Sequence, residues 1–206
     1  MDELVRSVMD FVSQNSGWAF PILFVVSFGE SFAFVSFAFP GTTILLAAGA
    51  LVPSGTLPFW PVLLGAILGA VLGDAISFWL GRRFGHLLDN RWPFVRHPEV
   101  LARGYAFFDK HGGKSIYIGR FFGPLRALVP LVAGVTRMSV SRFWLANVVS
   151  AFIWAPALMV PGAMAGYAAG LLGAHHAWKV ALAVAGVVVL TAGIWLARRA
   201  GLLDKA

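Results

Sequence analysis

Long apolar runs alternate with short polar or Gly-Pro breaks along the chain, and the run lengths predict how it crosses a membrane. Residues 60–81, 143–172 and 178–196 are apolar over about twenty residues, the length that a helix needs to cross the hydrocarbon core. Residues 1–16 instead alternate apolar and charged side chains at helical spacing, which is typical of an amphipathic helix lying in the membrane interface. We therefore expect three spans and one interfacial helix.

Two further apolar stretches are interrupted near their middle. Residues 17–53, here called hairpin 1, break at Pro40-Gly41; the part before the break is long enough to cross, but the part after it has only about eleven residues. Residues 115–136, called hairpin 2, break at Gly123-Pro124 into halves of about ten residues. We expect each hairpin to enter the membrane and return to the side from which it came.

The order of these segments predicts a repeat. A broken hairpin followed by a span occurs twice, and the spans 60–81 and 143–172 must run in opposite directions. Broken segments at corresponding positions of two inverted halves are typical of a transport site near the membrane midplane. The predicted fold is a single all-α integral membrane domain over residues 1–206, an inverted repeat of re-entrant hairpin plus transmembrane helix that ends with the final span 178–196.

The basic residues predict the orientation of this domain. Seven of the sixteen Lys and Arg residues lie in residues 82–114, which the positive-inside rule places in the cytoplasm. Within that segment, Pro98 and Gly112-Gly113 predict the two ends of a surface helix of about fourteen residues. Arg198-Arg199 likewise predicts a cytoplasmic C-terminus.

Composition excludes several classes of protein. With 59% hydrophobic and 12% charged residues among 206, the chain is not a soluble globular protein. The net charge of +7 comes from no basic block that stands apart from the apolar runs, so we expect no nucleic acid as a partner. There is no cysteine, and the histidines lack ligand spacing, so we expect no metal, no cofactor and no thiol chemistry.

Four charged residues lie in apolar surroundings: Glu30, Asp74, Arg120 and Arg126. One interpretation is that they form ion pairs that only let the helices insert. The other is a functional site, because ionisable groups inside a membrane are expensive to bury. A turn at Gly123-Pro124 would aim both guanidinium groups at one point, and Pro124 would start a second half-helix whose free N–H groups add positive potential there.

Two planar guanidinium groups beside a helix N-terminus, at membrane depth, suit the phosphate of a lipid. In this hypothesis Arg120, Arg126, Gly123 and Pro124 bind the phosphate. Tryptophans form a separate group, because most of them, Trp154 included, fall near predicted span ends and are interpreted as interfacial anchors.

At these residues the sequence resembles the DedA family, also described as the VTT or SNARE-associated domain. The resemblance covers about residues 17–172 and is most specific in the arginine stretch. The matching segments are Phe39-Pro40-Gly41, Gly73-Asp74, Gly81-Arg82-Arg83-Phe84-Gly85, His97-Pro98-Glu99, the run 107–114, Gly119-Arg120-Phe121, Gly123-Pro124-Leu125-Arg126, Val129-Pro130, Ala133-Gly134, Met138, Phe143, Asn147 and Trp154.

The resemblance implies a multi-pass protein of the bacterial inner membrane, with two opposed re-entrant hairpins, that moves lipids between leaflets. The lipid would be undecaprenyl phosphate or a phospholipid such as phosphatidylethanolamine. The family's essential residues include an acidic residue matching Glu30 and arginines matching Arg120 and Arg126. Many members also carry an acidic residue directly after the Pro-Gly of hairpin 1, where this chain has Thr42.

The leading hypothesis is thus a lipid flippase, and not an enzyme. Glu30 and Asp74 would supply the counter-charge or the proton coupling, and Pro40, Gly41 and Thr42 would form the tip of hairpin 1. Because Thr42 is neutral, an uncoupled lipid scramblase is the first alternative. A membrane enzyme acting on lipid phosphate and a purely structural role for the charges are the others, and both a monomer and a homo-oligomer remain open.

Overall fold

The computed structural model describes residues 2–33, 35–36, 40–88, 98–121 and 126–172, and these are helical with no strand among them. Two helices, Phe59–Gly85 and Val140–Leu171, are long and apolar enough to cross a membrane, and a third crossing is counted if the bent pair Glu3–Gln14 and Ser16–Ser31 is one span. The α-helices are α1 (Asp2–Gln14), α2 (Ala19–Ser31), α3 (Gly41–Leu51), α4 (Phe59–Leu88), α5 (Pro98–His111), α6 (Ser115–Gly119), α7 (Leu128–Val135) and α8 (Val140–Leu172).

Several predicted elements are confirmed. The surface helix begins at Pro98 and ends at His111, and Gly112 follows it with a positive φ of 55°, a conformation that favours glycine at a helix end. The amphipathic segment 1–16 forms α1, and the spans predicted at 60–81 and 143–172 form α4 and α8. The span predicted at 178–196 lies outside the described residues.

Two boundaries were predicted wrongly. Helix α4 continues through Arg82 and Arg83 to Leu88, where a loop was expected, because both arginines are good helix formers. Helix α2 ends at Ser31, nine residues before Pro40, and Phe32 is extended with ψ of 118°. With thirteen residues, α2 is about 20 Å long and too short to cross the hydrocarbon core.

Three glycines spaced four residues apart on α4 pack against α2. A Cβ atom added at Gly65, Gly69 or Gly73 would overlap the backbone carbonyl oxygens of Phe20, Phe24 and Phe28, respectively. Both sets of residue numbers rise together, so α2 and α4 lie parallel, backbone against backbone. Small residues at four-residue spacing permit this close approach.

Helices α4 and α8 pack in opposite directions. The rings of Phe78 and Phe143 stack with centroids 4.0 Å apart. Further along, Asn147 Nδ2 donates a hydrogen bond of 2.9 Å to the carbonyl of Val71. Residue numbers fall on α4 as they rise on α8, so the two membrane-length helices are antiparallel.

Each of these long helices also holds one short helix, in matching register. In both pairs, a glycine of the long helix lies against a backbone carbonyl of the short helix. A glycine of the short helix lies against a backbone carbonyl of the long helix, and this carbonyl is three residues before the long helix's own glycine. The contacts join Gly81 to Leu131 and Gly134 to Phe78 between α4 and α7, and Gly162 to Leu46 and Gly49 to Met159 between α8 and α3. Helix α3 therefore packs on the span of the other half of the sequence.

A matched pair of glycine substitutions on α8 tests this packing. The Cβ of Gly162→Ala would overlap the Leu46 carbonyl, whereas Gly170 has open space around it among the described residues. We expect Gly162→Ala to lower the free energy of unfolding in detergent micelles by about 1–3 kcal/mol, because the backbones must separate. Gly170→Ala should leave it unchanged or slightly raised, since alanine favours a helix. Equal effects at both positions would contradict the close approach.

Candidate functional site

The four charges that stand out in the sequence come together at the centre of the fold. Asp74 lies near the middle of the membrane-length segment Phe59–Gly85. Its carboxylate interacts electrostatically with Arg120, Arg126 and Glu30, so the four groups form one cluster. The four side chains retain between 2% and 12% of their exposure. The helices therefore hold two positive and two negative groups at mid-depth.

The first ion pair joins Arg120 to Asp74 of α4. Arg120 directly follows the short helix α6, and its Nη2 donates to Asp74 Oδ2. The same nitrogen lies 2.5 Å from the side-chain oxygen of Asn147 on α8. Asn147 in turn donates to the Val71 carbonyl of α4, so it fixes its own oxygen toward Arg120. Hairpin 2 is thus tied to both membrane-length helices at this point.

The second ion pair joins hairpin 2 to hairpin 1. Arg126 Nη1 lies 2.8 Å from Glu30 Oε1, and Arg126 Nη2 donates to the Ser31 hydroxyl at 2.9 Å. Both partners are at the C-terminal end of α2. On its other side, the guanidinium carbon of Arg126 lies 3.9 Å from the ring centroid of Trp154 on α8, in a cation–π contact. Arg126 is therefore held from two directions.

The tip of hairpin 1 also contacts Glu30. Thr42 Oγ1 donates a hydrogen bond to Glu30 Oε1, and a Cβ atom at Gly41 would overlap Glu30 Oε2. Pro40 caps the start of α3 immediately before them. The position directly after the Pro-Gly of hairpin 1 thus holds a hydroxyl that donates to the carboxylate of Glu30.

Thr42→Val should weaken this contact. Removing the hydroxyl takes one hydrogen-bond donor from a carboxylate that is mostly buried, which we expect to lower the free energy of unfolding by about 1 kcal/mol. Thr43→Val makes the same chemical change one residue along, at an exposed side chain, and should have a smaller effect. Chemical unfolding in micelles measures both; a larger loss for Thr43→Val would show that the Glu30 contact contributes nothing.

The two arginines keep N–H groups unused. Within the described part of the chain, Arg120 Nε and Nη1 and Arg126 Nε are buried with no hydrogen-bond acceptor. Buried donors of this kind are costly unless a partner satisfies them. Charged guanidinium N–H groups bind phosphate and carboxylate oxygens best. Among the described residues, Glu30 Oε2 and Asp74 Oδ1 are also buried without a hydrogen-bond partner, so the cluster holds both unpaired donors and unpaired acceptors.

Parts of the predicted phosphate site differ from the structure. Gly123 and Pro124 lie outside the described residues, so their predicted role stays a prediction. The second half-helix begins at Leu128, not at Pro124, and Arg126 lies in the turn before it. A helix N-terminus starting at Pro124 was thus wrong, because the chain makes a further turn before α7.

Sequence reasoning missed other residues of the site. Trp154 was interpreted as an interfacial anchor, but it is 2% exposed and faces Arg126. Ser31 gave no signal, because a serine in an apolar run is common. Asn147 was noted only as part of the family pattern. Its position on α8, a buried amide in an otherwise apolar helix, is the signal that points to a role in the site.

Comparison with known proteins agrees with this architecture. The VTT domain family matches residues 39–164. The chain is therefore a membrane protein of the VTT domain family, to which the DedA proteins belong. It is 37% identical to inner membrane protein YabI of Escherichia coli over 95% of this chain and 78% of that protein.

Two further relatives extend the comparison. Protein DedA of Escherichia coli is 33% identical over 70% of this chain and 68% of its own length. A membrane protein of Buchnera aphidicola is 31% identical over 77% of this chain, which spans only 62% of that relative. No solved structure gave a significant match.

Proposed function

We propose that this protein moves a phosphate-bearing lipid between the leaflets of the bacterial inner membrane, with Arg120 and Arg126 holding the phosphate. The observation that carries the proposal is the set of unused guanidinium N–H groups at mid-depth, on two arginines that already lie in one cluster. Such a site can receive a lipid head group while the acyl or prenyl tail stays in the bilayer.

Helix directions support a re-entrant inverted repeat. Helix α2 is parallel to α4, whereas α3 is parallel to α8 and therefore antiparallel to α2. Hairpin 1 then enters and leaves at the Phe59 end of α4. Helix α7 is parallel to α4 and ends beside Gly85, so hairpin 2 enters and leaves at the opposite end. The two hairpin tips meet where Arg126 contacts Glu30.

In this proposal the lipid phosphate enters the site by replacing the carboxylates that bind the two arginines. The carboxylates of Glu30 and Asp74 neutralise the two arginines. A lipid phosphate offers more acceptor oxygens than a carboxylate and can displace them from the guanidinium groups. Because buried ion pairs are close to break-even in free energy, the exchange needs no large driving force.

Coupling to protons would act through Glu30. A protonated Glu30 no longer attracts Arg126, which frees that arginine for the lipid phosphate. The neutral Thr42 beside it favours the second candidate, an uncoupled scramblase, because the site then has one carboxylate fewer to protonate. The two functions differ in whether a pH gradient changes the direction of net transport.

Reconstitution into proteoliposomes tests the proposal. Undecaprenyl phosphate, a phospholipid and a neutral diacylglycerol, each labelled in one leaflet, would be followed with and without a pH gradient. We expect the protein to accelerate the two phosphate-bearing lipids and not diacylglycerol. Equal acceleration of all three lipids, or of none, contradicts a phosphate site, and release of inorganic phosphate would indicate an enzyme instead.

A further inference from the structure

Charges are distributed unequally between the two ends of the membrane-length helices. Arg82 and Arg83 lie at the C-terminal end of α4, Arg142 lies at the N-terminal end of α8, and Arg137 lies just before α8. Helix α5, with Lys110, packs at the same end, since Tyr105 and Phe108 pack against the same apolar cluster as Leu80 and Val135. The opposite end differs, because no Lys or Arg occurs between Arg6 and Arg82.

Helix α1 packs at that poorly basic end. Its buried side chains Met9 and Val12 belong to the same core cluster as Leu57 and Val62, which lie just before and at the start of α4. By the positive-inside rule, the basic end faces the cytoplasm. The start of α4 and the whole of α1 then lie on the extracytoplasmic side.

The exposed face of α1 carries the polar side chains Glu3, Arg6, Ser7 and Asp10, and the apolar Leu4 and Phe11 lie along one edge of it. Leu4 and Phe11 are 51% and 49% exposed, and the chain bends by 117° between α1 and the segment that follows. Trp18, at this bend, is 57% exposed and packs edge-on against Phe11 with ring centroids 6.4 Å apart. Exposed aromatic side chains at this depth are typical of the boundary between head groups and acyl chains.

The exposed apolar side chains of α1 lie at the same end of the molecule as the exposed apolar side chains at the start of α4. This continuity identifies membrane lipid as what covers them. Phe59 and Trp60, at the start of α4, are 42% and 65% exposed at the same end of the molecule. The charged side chains of α1 are mainly acidic, with Glu3 and Asp10 against Arg6. Attraction to anionic lipids therefore cannot hold α1 at a membrane, and apolar insertion must do so.

We propose that α1 lies on the extracytoplasmic surface of the membrane and inserts Leu4, Phe11 and Trp18 into the outer leaflet, while Met9 and Val12 hold it against the core. The N-terminal segment is thus an anchor that fixes the extracytoplasmic end of hairpin 1 at the lipid boundary. This proposal does not depend on the lipid that is transported, so it stands or falls separately from the proposed function.

The cysteine-free sequence permits a direct test of sidedness. Arg6→Cys, on the exposed side of α1 away from Leu4 and Phe11, and Arg142→Cys, at the exposed start of α8, make the same change at opposite ends. We expect a membrane-impermeant maleimide to label Arg6→Cys in intact spheroplasts and Arg142→Cys only after permeabilisation. Labelling of Arg6→Cys only after permeabilisation would overturn the proposal, and so would the reverse order for the two variants.

Insertion is tested separately with spin labels in phosphatidylcholine vesicles. A nitroxide on Phe11→Cys should collide more often with oxygen, which dissolves in the acyl chains, than with a water-soluble nickel chelate. The same label on Arg6→Cys, on the exposed side of α1 away from Leu4 and Phe11, should show the opposite preference. Preference for the nickel chelate at both positions would show that α1 faces water and would overturn the anchor. Lipid transport by the same vesicles reports the proposed function independently.

Discussion

Arg126→Ala is expected to slow head-group transport by at least about tenfold while the protein still folds. The substitution removes the guanidinium that lies 2.8 Å from Glu30 and stacks on Trp154, and it leaves the Asp74–Arg120 pair in place. Truncating one partner of a buried, hydrogen-bonded charge contact costs about 2–5 kcal/mol. If a free energy of this size is lost from the contact with the lipid phosphate, the transport rate falls by at least about tenfold.

Two controls separate a phosphate site from a structural ion pair. Arg83→Ala removes an exposed arginine from the end of α4 and should transport normally. Exchanging the charges, with Glu30→Arg and Arg126→Glu combined, keeps an ion pair but moves the guanidinium to hairpin 1. If the exchanged protein transports like wild type, the charges serve only to hold the hairpins together. Leaflet-specific labelling in proteoliposomes measures all three variants.

Breaking the Asp74–Arg120 pair from one side should destabilise the fold strongly. Among the described residues, Asp74→Leu leaves the charged Arg120 with Asn147 as its hydrogen-bond partner, and both side chains of the pair are at most 4% exposed. Leaving one member of a buried pair uncompensated costs about 3–5 kcal/mol. We expect Asp74→Leu and Arg120→Met each to lower the free energy of unfolding in micelles by that amount.

The double variant decides whether this loss comes from the pair itself. Asp74→Leu combined with Arg120→Met removes both charges and should recover most of the stability lost by either single variant, because no buried charge is left. Asp109→Leu removes an exposed carboxylate and serves as the control for the loss of one negative charge. Additive losses in the double variant would show that Asp74 and Arg120 do not interact.

Features with a strong local signal could be predicted from the sequence. Helix α5 was placed correctly because Pro98 fits only the first turn of a helix and Gly112 supplies a positive φ after its last residue. The membrane-length helices were found because their length and hydropathy are set by the bilayer. The charged members of the site were found for a similar reason, since an ionisable group in an apolar run is conspicuous.

Features set by tertiary contact could not be predicted. Helix α2 ends at Ser31 without glycine or proline, where Ala33 N–H donates instead to the hydroxyl of Ser77 on α4. Trp154 has the composition of an anchor, and only its packing against Arg126 reveals its place in the site. The position of Asp74 along its span could be judged only from the full extent of α4, which shows that Asp74 lies near the middle of the membrane-length segment.

The crossed packing of the short helices has a consequence for how the protein is made. Gly49 of α3 rests against Met159, and Leu46 against Gly162, so α3 has no permanent neighbour on that side until most of the chain has been synthesised. The small-residue surface of hairpin 1 must therefore stay uncovered in the membrane while α4 to α7 are inserted. Helix α3 gains this neighbour only when α8 is inserted, and a chain truncated before Gly162 is expected to be a substrate for membrane proteases.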